Sequence, residues 1–202
     1  MYLKELFDLW QQEPVLISTA TNGLNAEKDL LLAVAIKNPL EDSKTYELFI
    51  RETHGEDLIP AQRYHQLTEE LMNSMGLPEE DFLQKVESAL KGKLLLTYNT
   101  SFQYGFLSKA LQAPDMNLYD LSVMEQALRK GLRFDEEEIT TPGKFFMACS
   151  AVYFPLQVNT ICKNLKITKQ PCPGQLPLER SLDVLQRLFD EVSSQELQLL
   201  PS

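Results

Sequence analysis

Three short apolar runs near the start of the chain, each fenced by turn residues, constrain the fold more than any other feature. Residues 15–17 (VLI) lie between Pro14 and the turn pair Asn22 and Gly23, residues 29–37 read DLLLAVAIK, and residues 45–51 read TYELFIR with better alternation. Runs this short, bounded by Pro, Gly and Asn, suit strands, and three in succession make a meander. Ahead of them Leu3, Leu6, Phe7 and Trp10 recur at helical spacing, which predicts a short amphipathic helix ended by Pro14.

Further along, the pattern changes period. Residues 52–78 are polar and broken, with Tyr64 and Leu67 as expected anchors. Pro78, Glu79, Glu80 and Asp81 make an acidic first turn, which the helix dipole favours. Phe82, Val86, Ala89 and Leu90 form that helix's buried stripe, and Gly92 stops it. Residues 94–98 (LLLTY) read as a fully buried strand, and residues 101–112 as a helix burying Phe102, Phe106, Leu107 and Ala110. Residues 117–119 suit a last short strand. The remainder is helical: Leu121, Met124, Leu128 and Leu132 keep one face, a region over 145–165 follows, and a helix over 178–192 buries Leu182, Leu185, Leu188 or Phe189, and Val192. Pro171, Pro173, Gly174 and Pro177 read as a rigid connector before it. The order of elements is that of an α/β sandwich with a mixed sheet.

At 202 residues the chain suits a single domain over 1–202: an N-terminal helix (1–13), a sheet-bearing part (14–112) and a helical C-terminal part (113–202). Hydrophobic content of 44% and charge of 24% are those of a soluble globular protein. No apolar stretch approaches the roughly 18 residues of a membrane span. Lys4, Glu5 and Asp8 rule out a signal peptide in the first residues, so a cytoplasmic location without membrane contact is expected. Cys149, Cys162 and Cys172 show no C-x-x-C spacing, which argues against a disulfide framework and a zinc site. His54 and His65 read as surface histidines in loops. The acidic run at 135–138 lacks the Gly-punctuated spacing of a calcium loop and reads as a solvated stretch. A net charge of −10 opposes phosphate backbones unless a local basic strip or bridging metals overcome it.

Residues 15–37, VLISTATNGLNAEKDLLLAVAIK, resemble the first motif of the DEDD-type (DnaQ-like) 3′–5′ exonucleases, the family that includes the proofreading subunit of DNA polymerase III. There a strand ends in D-x-E-T-T-G-L and a hairpin follows, and Thr19, Thr21, Gly23 and Leu24 fall in register. Residues 91–111, KGKLLLTYNTSFQYGFLSKAL, resemble the second motif, H-N-x-x-F-D-x-x-F-L, through Asn99, Phe102, Phe106 and Leu107. Residues 64–71 (YHQLTEEL) are similar to the family's H-G-I-T loop, residues 155–167 to the segment before its third motif, and residues 178–189 to its last helix. The matches recur in order over nearly the whole chain. The resemblance implies a ribonuclease H-like fold with a mixed five-stranded sheet flanked by helices.

The family's working residues are missing from this pattern. Its first-motif aspartate and glutamate fall on Ser18 and Ala20, an acidic residue common in the second strand on Ala33, and its second-motif aspartate on Gln103. In the last helix H-x-A-x-x-D lies over Glu179, Ser181 and Val184, so the histidine is Glu179 and the final aspartate Val184. Asp120 matches a common aspartate that is not a metal ligand. The resemblance implies two magnesium ions in active members, which activate a water and displace the terminal nucleotide. Ser18, Ala20, Gln103 and Val184 offer such ions no carboxylate, so no metal and no cofactor are expected.

The expected role is therefore a non-cleaving binding or scaffold module whose partner is another protein or a second copy. Two alternatives stand beside it. One is a magnesium- or manganese-dependent 3′–5′ exonuclease with a rearranged site built from Asp183, Glu179 and Asp120. Asp183 precedes the expected position by one residue and points about 100° away on a helix. The other is a non-cleaving binder of single-stranded 3′ ends, DNA or RNA, with Asn22, Asn99, Phe102, Gln103 and Tyr104 around the cleft and Lys91 and Lys93 nearby.

Overall fold

The antiparallel and parallel halves of the sheet meet at its central strand, β1 (Pro14–Thr21). The structure, a computed structural model, describes residues 1–41, 46–53, 58, 61–135, 137–167 and 175–200. His54, Cys172 and most of the proline-rich connector lie outside them. Antiparallel to β1 runs β2 (Leu31–Lys37), and antiparallel to β2 runs β3 (Glu47–Ile50). On the other side β4 (Leu94–Thr97) and β5 (Leu118–Asp120) pair in parallel, giving the order β3-β2-β1-β4-β5. The meander and the mixed five-stranded α/β sheet are as the sequence predicts.

Strands β1 and β2 are buried on both faces, which is why they read as continuous apolar runs. Leu16 and Ala20 of β1 enter one core with Ala33 and Ala35 of β2, whereas Val15, Ile17, Val34 and Ile36 enter the other. The second core lies under α4 (Glu79–Leu90) and α5 (Thr100–Leu111), through Phe82, Val86, Leu90, Phe106 and Leu107. Gly92, with φ of 73°, follows the end of α4 in the left-handed conformation that closes a helix.

The first and larger core is covered by α1 (Leu3–Trp10), α6 (Leu121–Arg129), α7 (Pro142–Ser150), α8 (Val158–Asn164) and α9 (Pro177–Ser193). Leu182, Leu185, Leu188, Phe189 and Val192 form the buried stripe of α9, as their spacing predicts. Phe189 stacks on Phe7 of α1 with ring centroids 5.9 Å apart.

Several expectations are corrected. Pro14 opens β1; α1 ends earlier, at Gln11, whose φ is 51°. Short helices α2 (Gln62–His65) and α3 (Glu69–Met75) interrupt the polar stretch. Leu67 is fully buried there, but Tyr64 is 64% exposed and anchors nothing. His65 is no surface residue. It is buried, its Nε2 lies 3.2 Å from the Leu58 carbonyl, and its Nδ1 accepts the Leu67 N–H at 3.0 Å. Asp135 of the acidic run ends a strand, β6 (Arg133–Asp135), paired in parallel with the C-terminal β7 (Gln198–Leu200). No helix among the described residues is long and apolar enough to cross a membrane.

Candidate functional site

In open α/β sheets, ligands bind outside the carboxyl ends of the strands, where the connections diverge. Here that place is the end of β1 beside β4, roofed by the first turns of α5 and α9. Thr97 at the end of β4 donates its hydroxyl to the Ile17 carbonyl at 3.0 Å and so fixes the two strands together. Tyr98, the next residue, meets Ser181 of α9 through their hydroxyls at 2.8 Å, and Ser181 also donates to the Pro177 carbonyl at 3.0 Å. Burial raises the Tyr98 phenol above its ordinary range, so it stays a neutral donor or acceptor.

The alternation of β1 turns Ala20 toward α9, in the same core as Val184. Ser18, which shares that side of the strand, is 3% exposed, Ala20 and Val184 are each 6% exposed, and Gln103 is 5% exposed. Gln103 Oε1 accepts the Thr19 hydroxyl at 2.7 Å. Thr19 lies between Ser18 and Ala20, on the opposite side of the strand. The structure thus brings Ala20 and Val184 into one core and ties Gln103 to the neighbouring residue of β1.

Glu179 caps α9. One carboxylate oxygen accepts the Leu176 N–H at 2.9 Å, and the other accepts the Tyr46 hydroxyl. Burial, the hydrogen bond to Glu179, and the charges of Glu179 and Asp183 push the Tyr46 phenol up to about 12. Asp183 lies one turn beyond Glu179, is exposed, and accepts from the Gln175 amide at 2.6 Å. Asp120 is wholly buried. Its Oδ1 accepts the Ser122 N–H at 2.9 Å and hydroxyl at 2.5 Å, and its Oδ2 accepts the Thr100 N–H at 3.3 Å and hydroxyl at 3.2 Å. A carboxylate offers about four lone-pair sites, and all of them are directed at protein donors. Among the described residues no three His, Cys, Asp or Glu side chains converge as a metal-holding group.

Three of the four cleft candidates, Asn22, Phe102 and Tyr104, have local side-chain partners. Asn22 Oδ1 accepts the Leu30 N–H at 2.6 Å and braces the β1–β2 hairpin. Asn99 adopts a left-handed conformation, φ 57°, as it starts α5. Phe102 packs on Phe106 with centroids 5.0 Å apart, and the Tyr104 hydroxyl donates to the Pro114 carbonyl at 2.8 Å. Asn99 and Tyr104 are exposed, and Asn22 and Phe102 are half-buried. Tyr46, Tyr98 and Ser181 were not singled out from sequence. Tyr98 and Ser181 lie within the quoted motifs and Tyr46 within the third apolar run, but only the fold shows that the start of β3, the end of β4 and α9 meet there.

No family model matches the sequence, and no curated protein does. Solved structures do. E. coli exonuclease I in complex with a dA16 oligonucleotide superposes with a TM-score of 0.57 at 13% identity, over 92% of this chain and 41% of that one. Exonuclease I from Methylocaldum szegediense gives 0.56 at 15% identity, over 89% and 40%. A chain from the yeast NOT1 MIF4G domain co-crystallized with CAF1 gives 0.59 at 14% identity, over 95% and 84%. The chain spans less than half the length of the exonuclease I chains it matches. At these identities the likeness is one of architecture: the chain has the ribonuclease H-like α/β fold of the exonucleases, a mixed five-stranded sheet flanked by helices.

Proposed function

We propose that the chain is an exonuclease-fold protein that does not cleave nucleic acid and works as a binding or scaffold module for a protein partner. One observation carries this reading: the positions matched to the exonuclease carboxylates hold Ser18, Ala20, Gln103 and Val184, and each is at most 6% exposed. Magnesium is bound through carboxylates and substrate phosphates, and two such ions would have to reach these positions. Alanine and valine coordinate nothing, and serine and glutamine offer only neutral oxygens. This residue set does not fit a pair of magnesium ions.

The displaced carboxylates are also engaged. Asp120 ties α5 to α6 and Glu179 caps α9, which leaves Asp183 as the one solvent-facing carboxylate of the three. A second reading, in which single-stranded 3′ ends are gripped uncut, draws on the exonuclease I structure that holds dA16. The net charge of −10 favours the first reading.

The test is a nuclease assay on a 5′-labelled single strand with magnesium or manganese, at high protein concentration. No loss of 3′ nucleotides is expected in either metal from protein shown to be folded. A 3′-to-5′ ladder abolished by chelator and by Asp183→Asn overturns the proposal and assigns a rebuilt metal site.

A further inference from the structure

Helix α7 buries one face and exposes a large apolar side chain, Met147, on the other. Phe145 and Cys149 are fully buried on its inner side, packed in the larger core. On its outer side Lys144, Met147 and Ala151 follow one another at three- and four-residue spacing, so they share a face. Met147 is 69% exposed. The chain then leaves the helix with Val152, 52% exposed, and Phe154, 82% exposed, before Pro155, which is also exposed. Phe154 is held in this pose by its backbone: its carbonyl accepts the Gln126 side-chain amide at 2.8 Å. The next anchor is Leu156, whose N–H donates to the Ser122 hydroxyl at 2.9 Å. A phenylalanine presented to water between two fixed backbone points is a poor use of an apolar ring unless something covers it.

The charge of this surface is the reverse of the molecule's. From residue 139 to 167 the chain carries Lys144, Lys163 and Lys166 and no Asp or Glu, within a protein of net charge −10. Lys130 joins them, its ammonium 5.1 Å from the centroid of the Tyr153 ring, beside Val152 and Phe154. The nearest acidic residues along the chain, Glu137 and Glu138, precede α7. Exposed methionine and aromatic side chains are enriched in protein-docking patches, and the flanking lysines set the sign of the charge such a patch meets. Nucleic acid is less well matched, because the aliphatic Met147 and Val152 offer no stacking face and the overall field is negative.

We propose that α7 and the segment after it, centred on Met147, Val152 and Phe154, dock an acidic segment of a partner protein that carries apolar side chains. The aliphatic and aromatic groups fill the partner's apolar positions, and Lys130 and Lys144 meet its carboxylates. This deepens and rests on the interaction-module reading above. Its test involves no nuclease activity, so loss of one conclusion is distinguishable from loss of the other.

The probe is a pair of synthetic peptides with the same leucine and phenylalanine positions, one interleaved with glutamate and aspartate and the other with lysine. Each is titrated into the isotope-labelled protein and followed by amide chemical shifts, with a poly-dT strand as a third titrant. Shifts confined to 130 and 144–156 are expected with the acidic peptide, at least about tenfold weaker affinity with the basic one, and loss of binding in Met147→Ser and Phe154→Ser. Both side chains are exposed, so these variants keep the fold. Equal binding of the two peptides, tighter binding of poly-dT at these residues, concentration-dependent self-association through them, or no shift there at all overturns the proposal.

Discussion

His65 and Asp120 each settle a local structure, and each gives a measurable consequence. The His65 ring donates from Nε2 to the Leu58 carbonyl and accepts at Nδ1, which only the neutral imidazole can do. Burial lowers its pKa from the usual 6.5, with the Leu58 carbonyl opposing the shift. Below about pH 6.5 the unfolded chain therefore binds a proton that the folded one refuses, and stability falls as pH falls until the folded pKa is reached. Thermal melts between pH 7.5 and pH 5 are expected to show this decline, and His65→Gln to flatten part of it; parallel curves would show that the ring is protonated in place. Asp120→Ala removes the cap of α6 and strands the Thr100 hydroxyl, an expected loss of roughly 2 kcal/mol in urea unfolding. An unchanged midpoint would free that carboxylate for another role. Neither arrangement was legible in the sequence. The partners of His65 include Leu58, seven residues earlier in the chain, and Asp120 reads as polar although every lone pair is used inside.

At the scale of elements, what could be read depended on length and repetition. Strands β1, β2 and β4 and helices α4, α5 and α9 are long or uniform enough for their burial to write itself into the apolar spacing. The pair β6 and β7 could not be read: each has three residues, and each is a strand only because the other lies beside it, although some sixty residues of chain separate them. The β1–β2 hairpin shows a subtler miss. Gly23 suggested a tight turn, but its φ is ordinary; the constraint is space, since a Cβ there would lie 2.1 Å from the Asp29 carboxylate oxygen. That oxygen accepts the Asn25 N–H at 2.7 Å and is not free to move without loss. Gly23→Ala is expected to cost about 1–3 kcal/mol, and less than the sum of the single changes when combined with Asp29→Ala. Simple additivity in chemical denaturation would show that the turn yields by moving elsewhere.

Taken as a whole, the molecule has the mixed-sheet architecture of the exonucleases, with Ser18, Ala20, Gln103 and Val184 buried inside it. The ordered motif matches made the fold legible, because Gly23, Phe106 and Leu107 serve packing, and packing is what a fold retains. The candidate site was legible only as a set of positions. Which side chains meet there, Gln103 with Thr19, Tyr98 with Ser181 and Tyr46 with Glu179, depends on strand alternation and helix docking that no local pattern carries.

The N–H of Leu197 donates to the Met1 carbonyl at 2.8 Å, and Tyr2 bridges Glu196 in antiparallel fashion. The first and last described stretches of backbone thus lie side by side. A short linker joining these two stretches would span adjacent backbone, and new ends could be opened at an exposed turn instead. Circular permutation would then separate what the order of synthesis contributes to this fold from what its contacts contribute.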